Sequence, residues 1–108
     1  MTLAFYDNAI KNLREAQAAH AVNRTDICTA RIRRAQAEIT ALREGLDQDA
    51  EMPELYQQLD ALYVFTIDQL EVAVAAKMER PIEVVVNILI DMRSAVSHAI
   101  HSDDIYQD

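Results

Sequence analysis

The sequence predicts an all-α fold, an antiparallel up-down four-helix bundle that forms one domain over residues 1–108. Two observations lead to this prediction. The chain has one Gly and two Pro among its 108 residues, whereas a β-rich domain of this length needs many more turn residues. Apolar residues also recur at steps of three and four along four long segments with short connections between them. Short connections make neighbouring helices run antiparallel.

The first two helices are predicted at residues 3–21 and 26–44. Thr25 or Asp26 is expected to cap the second helix, because their side-chain oxygens accept hydrogen bonds from free backbone N–H groups. Gly45 is expected to end that helix in the left-handed conformation, where a residue without Cβ is favoured. The apolar stripes of these helices are Leu3, Tyr6, Ile10, Leu13 and His20, flanked by Ala9 and Ala16, and then Cys28, Ile32, Ala35, Ile39, Leu42 and Leu46.

The third helix is predicted to start at Pro53, after an acidic loop over residues 46–52, and to close over residues 77–80. The fourth is predicted to open at Pro81 and to run to Ile100, with a polar, acidic end that frays over residues 101–108. Their core stripes are Leu55, Leu59, Leu62, Thr66, Leu70 and Ala73, and then Ile82, Val85, Leu89, Met92, Val96 and Ala99.

Both later helices carry more apolar residues than one buried face requires. The additional residues are Tyr56, Tyr63, Phe65, Ile67 and Val74 on the third helix, and Val86, Ile90 and Ile100 on the fourth. Surplus apolar residues at the edges of a bundle indicate a surface for a partner. The alternative for each of these residues is that it fills the core.

Composition and charge exclude several classes of function. The net charge is −8, with seven Lys/Arg against five Asp/Glu in residues 1–44 and three against thirteen in residues 45–108. Such a chain repels phosphate, so we expect no nucleic-acid partner. No apolar run is long enough for membrane insertion. The start does not resemble a secretion signal, and a single cysteine fits a reducing compartment, so we expect a cytoplasmic protein.

We predict no catalytic residue, no metal and no cofactor. No Glu is followed by a His three residues later, as a di-metal bundle requires. A set formed by His98, His101 and Asp104 has metal-ligand spacing, but a frayed, solvated helix end is the expected explanation. A histidine phosphotransfer domain needs a Lys and small residues around an exposed His, a pattern found at neither His20 nor His98. Cys28 has no base beside it and is expected to be a small buried thiol.

The remaining basic feature is the cluster formed by Arg31, Arg33 and Arg34, for which a solvated helix face is the expected explanation.

Residues 5–10 read Phe-Tyr-Asp-Asn-Ala-Ile, residues 34–47 begin with Arg-Ala-Gln-Ala and end with Leu-Asp, and residues 59–67 begin with Leu-Asp-Ala-Leu-Tyr. These three blocks resemble the FliS family of flagellin export chaperones, whose opening motif is Leu-Tyr-Asp-Gly-Ala-Ile. Residues 34–47 are close to its Lys-Ala-x-x-Ile-Ile-x-x-Leu-x-x-x-Leu-Asp pattern, and residues 59–67 resemble Leu-x-x-Leu-Tyr-x-Tyr-Met-Ile. The blocks occur in the family's order and spacing. The chain differs in having Val74 and Val96 where Asn and Trp are common, and in lacking the Gly pair after Asp47.

The resemblance implies a chaperone that binds the C-terminal region of flagellin in the cytoplasm, blocks its premature polymerisation and delivers it to export gate components. A disordered amphipathic segment would fold onto apolar grooves between the helices. The expected flagellin-binding residues are those matched to the family, together with two from the fourth helix: Tyr6, Ile10, Leu46, Leu62, Tyr63, Phe65, Val86 and Ile90.

A different class of function is also compatible with the sequence, a structural or regulatory homodimer whose wide apolar stripes pair with a second copy. The family usually begins with an additional Tyr- and Gln-rich segment, whereas two residues precede Leu3 in this sequence. We therefore expect the chain by itself to self-associate and so to shield the uncovered groove.

Overall fold

The fold is an all-α, antiparallel four-helix bundle, as the sequence predicts. The computed structural model describes the backbone of residues 2–46 and 53–106, and the side chains of residues 3–46 and 54–98. The helices are α1 (Thr2–Ala21), α2 (Thr25–Glu44), α3 (Pro53–Ala76) and α4 (Arg80–Tyr106). Each helix packs on its two neighbours in the order α1, α2, α3, α4 and back to α1.

Polar pairs between neighbouring helices show the antiparallel direction. Along α1 and α4, Asp7 accepts a hydrogen bond from Arg93 at 2.5 Å, and Arg14 pairs with Glu83 at 3.1 Å. The residue numbers of the partners on α4 decrease as those on α1 increase. Along α2 and α3, Arg33 pairs with Glu71 and Arg43 pairs with Asp60, again in opposite order. These exposed pairs fix register and add little stability, because water screens them.

The connection between α1 and α2 is shorter than expected, and no side chain caps α2. The helix begins at Thr25, so that Thr25 and Asp26 both lie inside its first turn, and Arg24 occupies the capping position without a side-chain hydrogen bond. Asn23 takes a left-handed φ of 60°, which allows the Arg24 N–H to donate to the Ala19 carbonyl at 2.8 Å. A backbone hydrogen bond therefore closes the turn between α1 and α2, where a capping side chain was expected. The negative charge of Asp26 in the first turn still interacts favourably with the positive end of the helix dipole.

Gly45 ends α2 without the left-handed conformation that the sequence predicts. Its φ is −80° and its ψ is −3°, and its N–H donates to the Ala41 carbonyl at 3.1 Å. Among the described residues of the second half of the chain, the left-handed position is Lys77, with φ 55°, immediately after α3. Residues 47–52, which include most of the predicted acidic loop, lie outside the described residues.

Both proline predictions are confirmed within one residue. Pro53 is the first residue of α3, and Pro81 is the second residue of α4. Proline is tolerated there because its missing N–H has no acceptor within the first turn. Helix α4 continues to Tyr106, beyond the predicted end at Ile100. No Pro or Gly follows Pro81, so the local sequence contains no helix breaker.

The core contains most of the predicted stripe residues. Cys28, with 7% exposure, is a buried thiol as expected, and burial raises its pKa. Small residues on α1 and α2 let these two helices pack closely. The fully or nearly fully buried hydrophobic residues are Tyr6, Ala9, Leu13, Ala16, Ala19, Cys28, Ile32, Ala35, Ile39, Leu42, Tyr63, Leu70, Ala73, Ile82, Val85, Val86, Leu89 and Met92.

The predicted core stripe of α3 is wrong at two positions. Leu55 and Leu62 are 45% and 39% exposed, whereas Tyr63 is buried. The buried face of α3 follows Leu59, Tyr63, Thr66, Leu70 and Ala73, and the two leucines lie to one side of it. Both leucines also fall at helical spacing with the core residues, so periodicity alone assigns them to the wrong side.

Candidate functional site

Four large apolar side chains of α3 face solvent. Leu55, Leu62, Phe65 and Val72 have exposures between 39% and 45%. They follow one another at seven, three and seven residues, so they share one side of the helix. We call these four residues the α3 stripe, which is about 25 Å long at a rise of 1.5 Å per residue. A soluble protein rarely exposes such a row of large apolar residues unless the row contacts a partner.

A second apolar feature is a cavity of about 270 Å³ at the end of the bundle where α1 and α3 begin and α2 ends. We call it the terminal cavity. Half-buried side chains from all four helices form its sides, and a volume of this size accepts one large apolar side chain. Its lining residues are Phe5, Tyr6, Ala41, Leu42, Gly45, Leu46, Leu59, Tyr63 and Val96.

Two buried tyrosines join across the bundle beside this cavity. The hydroxyl oxygens of Tyr6 and Tyr63 are 2.5 Å apart, and the residues are 1% and 3% exposed. We call them the tyrosine pair. A buried hydroxyl needs a hydrogen-bond partner, and each tyrosine supplies it for the other. Burial raises the pKa of both hydroxyls, and the Tyr63 hydroxyl raises the pKa of Tyr6 further. The pair is therefore neutral at physiological pH.

A third feature lies on the edge between α1 and α4. Ile10 lies three residues after Asp7 and four before Arg14, which pair with Arg93 and Glu83 of α4. On α4, Ile90 lies between those same two partners. Ile10 is half-buried and Ile90 is 41% exposed. The antiparallel register thus places both isoleucines at one level of this edge, and we call these two residues the α1–α4 patch.

The structure divides the eight predicted flagellin-binding residues among these features. Leu62 and Phe65 belong to the α3 stripe, Ile10 and Ile90 to the α1–α4 edge, and the remaining residues lie at or within the core. Tyr6, Leu46 and Tyr63 line the terminal cavity. Val86 is completely buried, so it fills the core in this conformation. The eight residues do not form one continuous surface.

Sequence reasoning did not identify Leu55 or Val72 as exposed, nor Phe5, Leu59 and Val96 as cavity residues. The exposure of Leu55 and Val72 could have been predicted from a repeat in the sequence. Leu55 and Leu62 are seven residues apart, as are Phe65 and Val72, and a seven-residue repeat is typical of a helix that pairs with another helix. The cavity residues carry no such signal, because their position depends on how the helix ends meet.

The basic cluster is largely paired. Arg31 pairs with Glu15 at 3.0 Å, and Arg33 pairs with Glu71. Hydrogen bonds from Arg33, and then from Gln36, lower the pKa of the Glu71 carboxyl. Arg34 borders a polar surface groove between α1 and α2. These contacts agree with the solvated helix face that the sequence predicts.

No metal-binding cluster is present among the residues whose side chains are described. No group of three His, Cys, Asp or Glu lies close enough there to hold a metal ion. His98 is exposed, and the side chains of His101 and Asp104, its predicted companions, lie outside the described residues. Within the described part of the chain, every helix is too short or too polar to cross a membrane.

The fold and these surfaces are those of a helical protein that binds other proteins through apolar contacts. It is a small antiparallel four-helix bundle that exposes apolar residues along one helix and at one helix edge. The family model of the flagellar protein FliS matches residues 1–103, nearly the whole chain. The chain therefore belongs to the FliS family, and the resemblance found in the three sequence blocks is confirmed. A search of curated proteins finds no match to the chain.

Proposed function

We propose that this protein is a flagellin export chaperone. It binds the C-terminal region of flagellin in the cytoplasm, prevents premature polymerisation and assists delivery to the flagellar export apparatus. Membership of the FliS family supports a chaperone role in flagellum biogenesis. The observation that supports binding of the C-terminal region of flagellin is the α3 stripe, because this exposed apolar surface suits an amphipathic helical segment.

The α3 stripe supplies the anchor residues for such a segment. Phe65 is 45% exposed and Leu62 is 39% exposed, and the two lie one helical turn apart. A few residues near the centre of an interface, aromatic ones in particular, usually contribute most of the binding free energy, so Phe65 is the expected main anchor. Leu55 and Val72 extend the contact toward the two ends of the helix.

Two further contacts would let an extended client wrap around the bundle. The patch formed by Ile10 and Ile90 lies on the α1–α4 edge, and the terminal cavity accepts one apolar side chain of the client. A client that is disordered before binding can reach separate patches, because its backbone orders only as it docks. This explains how separated apolar features on the surface of the bundle could serve one partner.

The charge of the protein favours an apolar mode of binding. The chaperone has a net charge of −8, and the α3 stripe is flanked by the exposed acidic residues Glu54 and Asp68. Electrostatic attraction would therefore contribute little for a client without a basic face. The chaperone acts by covering the client's self-assembly surface and performs no catalysis.

Calorimetric titration with the C-terminal segment of flagellin from the same organism tests this proposal. We expect saturable one-to-one binding with a negative heat-capacity change, which indicates apolar burial coupled to folding. Phe65→Ala should weaken binding at least tenfold, since an interface anchor contributes about 2 kcal/mol or more.

Ile27→Ala is the matched control for this titration. Ile27 is 41% exposed but lies at the start of α2, away from the α3 stripe. The control should bind like the unmodified protein. If the folded protein fails to bind, or if both variants weaken binding equally, the proposed client or the proposed surface is wrong.

A further inference from the structure

The exposed side of α3 carries two interleaved seven-residue repeats. Leu55, Leu62 and Gln69 form one repeat, while Gln58, Phe65 and Val72 form the other, three residues further along. These are the a and d spacings of a helix that packs against another helix in a coiled-coil manner. We call these six residues the α3 seam. It contains the α3 stripe and adds a glutamine near each end.

The α3 seam is complementary to itself in the antiparallel direction. In an antiparallel pair of helices, an a position faces a d position of the partner. A two-fold axis between positions 63 and 64 places Leu62 against the partner's Phe65, and Leu55 against the partner's Val72. The same axis places Gln58 against the partner's Gln69. Apolar residues then meet apolar residues, and each amide meets an amide with which it can exchange hydrogen bonds.

The residues that flank the seam are also compatible with this register. Beside it lie Glu54, Ala61, Asp68 and Ala75, all of which are exposed. In the same two-fold arrangement, Asp68 lies across from the partner's Ala61, and Glu54 lies across from the partner's Ala75. No like charges face each other among these flanking residues, although each copy is acidic. A shift of one heptad would place Gln58 against the partner's Leu62, or Gln69 against the partner's Phe65, and bury unpaired amides.

We propose that a second copy of this chain docks on the α3 seam and forms an antiparallel, two-fold symmetric dimer. The Gln58 contact with the partner's Gln69 sets the register, as a polar residue does in a coiled-coil core. A two-fold contact is closed, so association stops at the dimer.

The dimer is weak. A contact formed by one helix over about 25 Å buries far less than the roughly 800 Å² per partner of a standard interface. We expect a dissociation constant of about 100 μM at moderate salt. Because each copy carries a net charge of −8, added salt should strengthen the dimer by screening the repulsion.

The dimer also has a consequence that rests on the proposed chaperone function. Leu62 and Phe65 lie at the centre of the seam, so a copy docked there covers the same residues that are proposed to anchor the client. Dimer and client complex are then mutually exclusive. The chaperone would hide its apolar stripe from other proteins until a client displaces the second copy.

Sedimentation equilibrium of the protein alone, without any flagellin, tests the dimer separately from the proposed function. The mass should rise from the 12.2 kDa monomer toward twice that value as concentration increases. Phe65→Ala should weaken self-association at least tenfold, whereas Ile27→Ala should leave it unchanged. A protein that stays monomeric up to about 1 mM, well above the expected dissociation constant, or that dimerises equally well with Phe65→Ala, would overturn the proposal.

The register is tested by a charge pair with a matched control. Gln58→Lys combined with Gln69→Glu places each introduced lysine opposite the introduced glutamate of the other copy, twice in each dimer, and should tighten association at least fivefold at low salt. Gln57→Lys combined with Gln69→Glu has the same composition and net charge, but position 57 lies off the seam. Equal association of the two double variants would show that the register is wrong. Circular dichroism confirms that each variant remains helical.

Discussion

Replacing Tyr6 with phenylalanine tests how the buried tyrosine pair contributes to stability. The substitution removes one hydroxyl and leaves the aromatic ring, so packing in the core is nearly unchanged. The Tyr63 hydroxyl then loses the partner that lies 2.5 Å away in a site where Tyr63 is only 3% exposed. A buried polar group without a partner costs about 1–3 kcal/mol. We therefore expect Tyr6→Phe to lower the free energy of unfolding by about 2 kcal/mol.

The double substitution should cost less than either single one. Tyr63→Phe leaves the Tyr6 hydroxyl unpaired and should also cost about 2 kcal/mol. When both hydroxyls are removed, no polar group remains unpaired, and the cost should fall below about 1 kcal/mol. The sum of the single effects would then exceed the double effect by roughly 3 kcal/mol, a large coupling for two residues in contact.

Equilibrium urea denaturation of the four proteins measures this coupling. With a slope of about 2 kcal/mol/M, each single variant should unfold at a urea concentration about 1 M lower than the unmodified protein. The double variant should lie close to the unmodified protein. Additive losses would refute the reasoning, and they would mean that water entering from the terminal cavity satisfies the hydroxyl that is left alone.

The remaining predictions concern pH, burial and charge. Because burial raises the pKa of both tyrosines above the ordinary 10.0, their contribution to stability is complete below pH 10 and is lost as pH rises further. The free energy of unfolding should fall by up to about 1.4 kcal/mol per pH unit for each tyrosine. Urea denaturation of the variant in which both tyrosines are replaced by phenylalanine should not show this loss. Val86→Ala should cost about 1–3 kcal/mol in urea denaturation because Val86 is buried, whereas Ile90→Ala should cost about 0.5 kcal/mol or less. Arg33→Ala should raise the lowered pKa of Glu71 toward its ordinary value, as carboxyl NMR shifts would show.

The number, order and starts of the helices could be predicted because local chemistry determines them. Proline at residues 53 and 81 lies in the first turn of two helices, and the three-and-four spacing of apolar residues extends through all four. The predicted starts of the four helices agree with the structure within one residue. The end of α4 was less predictable, since the polar residues after position 100 contain no helix breaker.

The candidate site was predictable only in part. Helical spacing predicts which residues share one face of a helix, but it does not predict whether another helix covers that face. Leu62 and Val86 both fit an apolar stripe, yet Leu62 is 39% exposed and Val86 is buried. The difference depends on where the adjacent helix lies, which is a tertiary property. The cavity beside Leu46 likewise depends on how four helix ends meet. The link between Tyr6 and Tyr63 spans 57 residues of sequence, and no local pattern signals it.

The turn conformations have a consequence for protein engineering. The single glycine, Gly45, occupies a right-handed position, and a methyl group there would meet the carbonyl oxygens of Ala41 and Leu42 at 3.4 and 3.5 Å, ordinary contact distances. Lys77 and Asn23 occupy the left-handed positions that glycine prefers. Lys77→Gly should therefore raise the free energy of unfolding by up to about 1 kcal/mol, and Gly45→Ala by about 0.5 kcal/mol. If thermal unfolding shows both gains, exchanging the residue types of two turns would yield a more thermostable chaperone whose exposed α3 stripe is untouched.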